Sequence, residues 1–355
     1  MEKYSPINYV FFRENTNKGP KIRLKGIIFA RAISSIGILC FHFFCQSKGK
    51  FKLCYKTANS HWGFIFVTVF FSISGSVLYY NYPKVNSLKI FFFKRWKSIL
   101  LPYYICFFYF FLQKAFFFRK LFFRGHWSKL IFTLFGLDGY LSRMKLKTYF
   151  LIGQWFLGAI IIIYFLYPIL SWLMNKNILI IHFIILFCYP LMYYTNIFTI
   201  IPRINMITSI NSFYFGMLGI IYHDLFFSKI GFVISLIIFI FLYFIKISKI
   251  VLIHQMQGFS LYIILVQIGK KIMKSEFKQI ILEINNLSYY IFLLHHKIIF
   301  AVLNANNPDI WYLQMEFLLI TIILTIISSK IVYIIINYIY NNNLFKKIDS
   351  FFLRP

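Results

Sequence analysis

Apolar runs of about 17 to 25 residues, the length a helix needs to cross a bilayer, recur along this chain from one end to the other. In hydrocarbon every backbone N–H and C=O must be satisfied within the segment itself, so such runs fold as helices and not as open strands. Ten spans are read, roughly Gly26 to Phe44, Trp62 to Tyr80, Ile99 to Phe118, Tyr149 to Met174, Ile178 to Tyr194, Asn211 to Phe227, Ile230 to Ile245, Ile250 to Gly269, Ile280 to Leu303 and Gln314 to Tyr340. The expected fold is all-α, a polytopic membrane helix bundle with about ten transmembrane helices. Composition agrees: 60% of the 355 residues are hydrophobic, 22% aromatic and 13% charged, a balance outside the soluble globular range. The spans leave no room for a soluble domain. Residues 1–355 therefore read as one membrane-embedded domain, with a basic cytoplasmic segment at 1–25 and a short cytoplasmic tail at 341–355. The first run lacks a small-residue cleavage site and reads as a retained helix rather than a signal peptide. Trp127 to Tyr140 is too short to cross and reads as an interfacial or re-entrant piece.

Charge sets the orientation. Lys and Arg number 38 against nine Asp and Glu, a formal +29, and the positive residues lie in short loops between apolar runs, as topology signals do. The segment before Gly26 carries six, the loop after the second span five, the loop after the eighth four and the tail after Tyr340 three. With ten spans these all fall on one side, so both termini are expected in the cytoplasm. The loop Asn304 to Leu313 has no Lys or Arg and agrees, whereas Arg119 to Thr148, with seven basic residues, is placed outside. An excess of this kind favours membrane lipids with anionic headgroups and phosphorylated ligands. With the cations confined to topology loops, no nucleic acid partner is expected.

Five cysteines, Cys40, Cys45, Cys54, Cys106 and Cys188, show no metal-type spacing, and an odd number excludes complete internal pairing. Cys45 and Cys54 are placed for a disulfide if their loop faces an oxidising compartment; the other reading is that of thiols acting as small buried hydrophobes. No His-Glu-x-x-His, Cys-x-x-Cys, P-loop or dinucleotide fingerprint occurs, so no metal is expected.

The polar residues of the first span carry the chemistry. His42 follows Arg31 by eleven residues, and eleven steps of about 100° return almost to the starting direction, so both lie on one helix face roughly 16 Å apart along the axis. A guanidinium in a bilayer costs at least about 2.5 kcal/mol, and nine acidic residues offer few internal partners, so an external anion is expected there. Snorkelling to the membrane surface is the alternative for Arg31. Lys94, Arg95 and Lys97 cluster before the third span, either as topology residues or as a phosphate clamp to which Arg95 brings bidentate geometry. Ser74 permits close approach of helices or ligand, and Trp155 suits an interfacial aromatic belt. Of the neighbours His295 and His296, pointing about 100° apart, only one is expected to face the bundle interior.

Five segments occur in a recognisable order. They are Arg31 with His42; Phe70-Phe71-Ser72-Ile73-Ser74-Gly75; Lys94-Arg95-Trp96 through Pro102-Tyr103; Gly153-Gln154-Trp155-Phe156-Leu157-Gly158; and Leu287-Ser288-Tyr289-Tyr290 through His295-His296. Together they resemble the acyltransferase-3 family, integral membrane enzymes that O-acylate surface glycans and other acceptors. Thr68 and Gln154 stand where many or some members carry an acidic residue.

The resemblance implies an acyl donor, acyl-CoA and by family preference acetyl-CoA, bound on the cytoplasmic side of a bacterial cytoplasmic (inner) membrane. The acceptor it implies is a hydroxyl of a surface polysaccharide or lipid-linked glycan. His42 is then the general base or, alternatively, a transient nucleophile carrying an acyl-imidazole. Arg31, Lys94, Arg95 and Ser74 would hold the donor, and Trp155, Tyr289 and His295 would face the substrates. The competing function is a transporter or flippase for an anionic lipid-linked glycan, with Arg31 as binding charge and His42 as proton relay; it leaves the ordered later segments unexplained.

Overall fold

The computed structural model describes residues 22–48, 61–194, 200–244 and 251–353, and every regular element among the described residues is helical. Ten helices follow the ten apolar runs: α1 (Ile22–Gln46), α2 (Trp62–Asn81), α3 (Leu88–Phe117), α4 (Gln154–Lys176), α5 (Ile178–Tyr194), α6 (Met206–Ile221), α7 (Lys229–Phe244), α8 (Val251–Ile272), α9 (Lys278–Ala305) and α10 (Trp311–Asn341); α11 (Asn343–Leu353) comes after them. Seven of these, α1 to α4 and α8 to α10, are long and apolar enough to cross a membrane, and α5, α6 and α7 are shorter apolar helices. The protein is a polytopic helical bundle. Trp127 to Tyr140 does not cross; it breaks into short helical pieces at Trp127–Lys129, Leu130–Leu134 and Asp138–Arg143. Cys54 and nearly all of the basic segment 1–25 lie outside the described residues.

The third helix differs from expectation. It begins at Leu88, with the Ser87 hydroxyl accepting from the Ile90 N–H, so the basic cluster lies inside the helix and not before it. Aromatic faces and one carboxylate make that possible: Lys89 sits 5.1 Å above the Phe351 ring, Lys94 5.7 Å above Tyr82, and Lys97 pairs with Asp349. A π turn at Trp96–Leu100 precedes Pro102. Proline withholds the N–H owed to the carbonyl four residues earlier and crowds it, and a widened turn at that point absorbs the mismatch.

The described residues divide into two compact units. In the unit formed by 22–81 and 210–330, α1 packs against α2, α8 and α9. Small residues bring these helices together, as is usual in membranes: a methyl group added at Gly26 would lie 2.1 Å from the Val266 carbonyl oxygen. Buried polar groups tie the rest. Ser76 Oγ is 2.6 Å from the Gly216 carbonyl and 2.7 Å from the Tyr262 hydroxyl, while Gln255 donates to the Ser212 hydroxyl at 2.7 Å. Along α7, Ile230, Ile234, Ile237 and Phe241 form an exposed apolar stripe at helical spacing, a surface for lipid chains and not for water.

Chain direction within this unit alternates as a membrane bundle requires. Gly63 meets Phe41 and Gly37 meets Phe66, so α1 and α2 are antiparallel. Ser72 and Ser76 reach the Ser212 and Gly216 carbonyls in that order, so α2 and α6 run the same way. Phe43 and Phe44 share a core with Ile299 and Leu303, and the Lys48 N–H donates to Asn307 Oδ1 at 2.9 Å. Helices α1 and α9 are thus parallel.

In the unit formed by 82–209 and 331–353, the short helix Asp138–Arg143 lies on α4, where a methyl group at Gly139 would meet the Gln154 carbonyl oxygen at 2.3 Å. Gly153 enters α4 at φ 87, a left-handed conformation that glycine takes without strain. Tyr167 and Ser171 on α4 each donate at 2.6 Å to the carbonyls of Tyr82 and Pro83, fastening the segment before α3. The amphipathic α11 closes onto α3 through the Lys97–Asp349 pair and the stacked rings of Phe93 and Phe352, 4.5 Å apart.

Candidate active site

Parallel packing of α1 on α9 brings His42, in the last turns of α1, against the middle of α9. Its ring centroid lies 5.3 Å from that of His295 and 4.2 Å from that of His296, and the latter two are 4.4 Å apart. Both neighbours therefore approach His42, and the expectation that only one faces inward fails. A ring placed between two directions 100° apart on a helix is reached by both. His295 is 1% exposed, and its Nδ1 donates to the Ile291 carbonyl at 3.0 Å. That bond assigns the ring proton to Nδ1 and leaves Nε2 as a lone-pair nitrogen, buried with no hydrogen-bond partner. His296 is half-buried with Nδ1 3.2 Å from the Gln46 amide nitrogen, and His42 is half-buried between them.

Arg31 is buried on α1, 8% exposed. Equal rise in two parallel helices carries the His42–His296 pairing back eleven residues, to the level of Arg31 and Asn285. Asn285 is buried with its Oδ1 lacking a hydrogen bond, as is the Ser34 hydroxyl one turn after Arg31. Polar side chains therefore recur along α1 and α9 from the guanidinium to the imidazoles. Tyr289 is half-buried on α9, its ring 6.2 Å from that of Phe292, which is itself 6.2 Å from His295. Ser74 is half-buried on α2, and the neighbouring Ser72 and Ser76 make the ties to α6.

The remaining sequence-derived candidates lie in the other unit. Arg95 is 6% exposed, with its guanidinium carbon 5.6, 5.9 and 5.8 Å from the ring centroids of Tyr82, Phe91 and Tyr164. It lines a cavity of about 280 Å3 together with Trp96, Tyr104, Phe135 and Tyr164. The three rings form an aromatic cage around the cation. Lys94 is half-buried over Tyr82. Lys97 is engaged by Asp349, which makes it a structural cation rather than a free clamp. Trp155 is half-buried in the first turn of α4.

Burial pushes the Asp138 carboxyl above the usual carboxylate range; the neighbouring Thr133 hydroxyl, the Tyr103 hydroxyl that donates to it, the Tyr149 backbone and the charge of Arg124 offset part of that rise. Sequence reasoning missed His296 as a third ring and Gln46 as its neighbour, and it missed the paired buried rings of His61 and His254, 4.0 Å apart. Each involves residues far apart in the chain, and no local spacing announces them.

The family model of an acyltransferase domain matches residues 24–337. The chain belongs to the acyltransferase-3 family. No curated protein and no solved structure gives a match. The family match begins in α1, before Arg31, and runs into α10, so the matched length of this acyltransferase-3 chain takes in every candidate residue. It is a membrane acyltransferase by family and by architecture.

Proposed function

We propose that the protein transfers an acyl group, acetyl by family preference, from acyl-CoA on the cytoplasmic side to a hydroxyl of a surface polysaccharide or lipid-linked glycan. The membrane is the bacterial cytoplasmic (inner) membrane, with both chain termini in the cytoplasm. One observation carries the reading: His42 meets His295 and His296 on the helix that also holds the buried cation Arg31. A neutral imidazole near the middle of the physiological range is suited to accept the proton of a sugar hydroxyl. As that oxygen attacks the thioester carbonyl, the C–S bond breaks, and the departing CoA thiolate is reprotonated. In the nucleophilic version the imidazole nitrogen takes the acyl group first and passes it to the acceptor oxygen. The Nδ1–H bond of His295 to the backbone holds one ring of the cluster in a defined orientation and tautomer.

Arg31 and Arg95 are assigned to the anionic groups of the donor. Each is a buried guanidinium able to give paired hydrogen bonds to phosphate oxygens. The Arg95 cage also offers aromatic walls for the nucleotide or the acyl chain. Lys94 and Ser74 are assigned to the donor as well, and Trp155, Tyr289 and His295 to the substrates.

The test is acetyl analysis of purified surface glycan from cells making wild-type protein, His42→Ala or Arg31→Ala at matched protein levels. Acetylation is expected to fall about 100-fold or more in His42→Ala, the usual contribution of a positioned base. Normal acetylation in both variants would remove the proposal. Reconstituted protein with labelled acetyl-CoA provides the second arm, because an acyltransferase consumes the thioester and a flippase does not.

A further inference from the structure

Three imidazoles from two helices meet where α1 and α9 lie side by side, and one nitrogen from each of His42, His295 and His296 can be chosen so that all lie within 4.8 Å of one another. Two of the rings are already held by their other nitrogen. His295 donates from Nδ1 to the Ile291 carbonyl, and Nδ1 of His296 stands 3.2 Å from the Gln46 amide. Fixing one ring nitrogen with a carbonyl or amide so that the other points at an ion is how proteins orient metal-ligating histidines.

A second observation points the same way. Nε2 of His295, on a residue 1% exposed, is buried with no hydrogen-bond partner, and so is Oε1 of Gln46. Amide nitrogen and oxygen are assigned from their surroundings. Turned over, the Gln46 amide gives its oxygen the Nδ1–H of His296 and leaves Nε2 of that ring as a donor atom.

We propose that His42, His295 and His296 form a three-nitrogen binding site for a divalent transition metal of the zinc class. Imidazole ligands select zinc, copper, cobalt and nickel over magnesium and calcium, which seek oxygen. Zinc–nitrogen bonds of about 2.0–2.1 Å set tetrahedral ligand atoms roughly 3.4 Å apart, so a contraction of the present separations, which reach up to 4.8 Å, by at most about 1.4 Å seats the ion. Three ligands leave the fourth tetrahedral position open. The consequence for activity rests on the acyl-transfer reading: an ion on His42 takes the lone pair that a base or nucleophile needs, so metal silences transfer.

The experiment uses the full chain, purified in detergent on an affinity tag without histidine and titrated with Co2+ alone. A visible absorption band of tetrahedral cobalt is expected, saturating at about one equivalent and abolished by a chelator. His295→Ala and the size-conserving His296→Gln should each weaken binding by about tenfold or more, in protein that elutes from a sizing column like wild type. His126→Ala, on an exposed stretch of the other unit, should bind like wild type. No band in wild type, or an undiminished band in either cluster variant, overturns the site. In reconstituted protein, Zn2+ should depress acetyl-CoA turnover and a chelator restore it; turnover unaffected or raised by Zn2+ overturns the silencing. The cobalt titration needs no turnover, so a failure of acyl transfer and a failure of metal binding are read separately.

Discussion

The Gln46 amide and Nδ1 of His296 stand 3.2 Å apart across 250 residues of sequence. This contact joins the end of α1 to the ring beside His42, and it gives Gln46 a positioning role. Gln46→Ala is expected to lower turnover of labelled acetyl-CoA about tenfold, the low end for loss of an orienting partner. Gln46→Glu, whose carboxylate accepts from Nδ1–H, should recover most of the loss and shift the pH profile, because it also stabilises the protonated ring. A mere packing role would give equal loss in both variants and an unchanged profile.

Helices α2 and α6 cross with almost no room between backbones. A methyl group at Gly216 would lie 1.8 Å from the Ser72 carbonyl oxygen, whereas one at Gly219, a turn later, would meet nothing closer than the Tyr262 ring at 3.6 Å. Gly216→Ala should destabilise the protein by about 1–3 kcal/mol, the usual cost of overpacking. Gly219→Ala should be near neutral. Thermal unfolding in detergent separates them, and equal effects would contradict the crossing.

Lys97 is buried on α3 and paired with Asp349 from α11. Removing one member of such a pair leaves the other charge stranded, at about 3 kcal/mol. Asp349→Asn should therefore lower the unfolding temperature and release α11 to protease, while Lys97→Met with Asp349→Leu should recover much of the stability. Protection of α11 unchanged in the single variant would show the pair to be incidental.

Asp138, 1% exposed, accepts from the Tyr103 hydroxyl at 3.1 Å, and burial raises its carboxyl above the ordinary range. The folded state therefore holds this proton more tightly than the unfolded chain. Its contribution is fully present below about pH 3.9, the ordinary carboxylate value, and is lost as pH rises through the folded value. Asp138→Asn is expected to melt higher than wild type at neutral pH, with the gap closing as pH falls toward about 4. Melting curves across that range check it, and a gap independent of pH would refute it.

Run length and the bilayer's intolerance of unpaired backbone groups were enough to read an all-helical membrane bundle. The register of Arg31 and His42 was legible because a helix of fixed pitch makes spacing into direction. The start of α3 was not, since the cations of Leu88–Leu100 look like loop residues until Tyr82, Phe351 and Asp349 are seen beside them. Nor was the histidine cluster, whose members come from helices at opposite ends of the chain. Local sequence determines helices and faces because those depend on residues a few positions apart. Only tertiary packing decides which faces meet, and here it decided that His42 lies between His295 and His296.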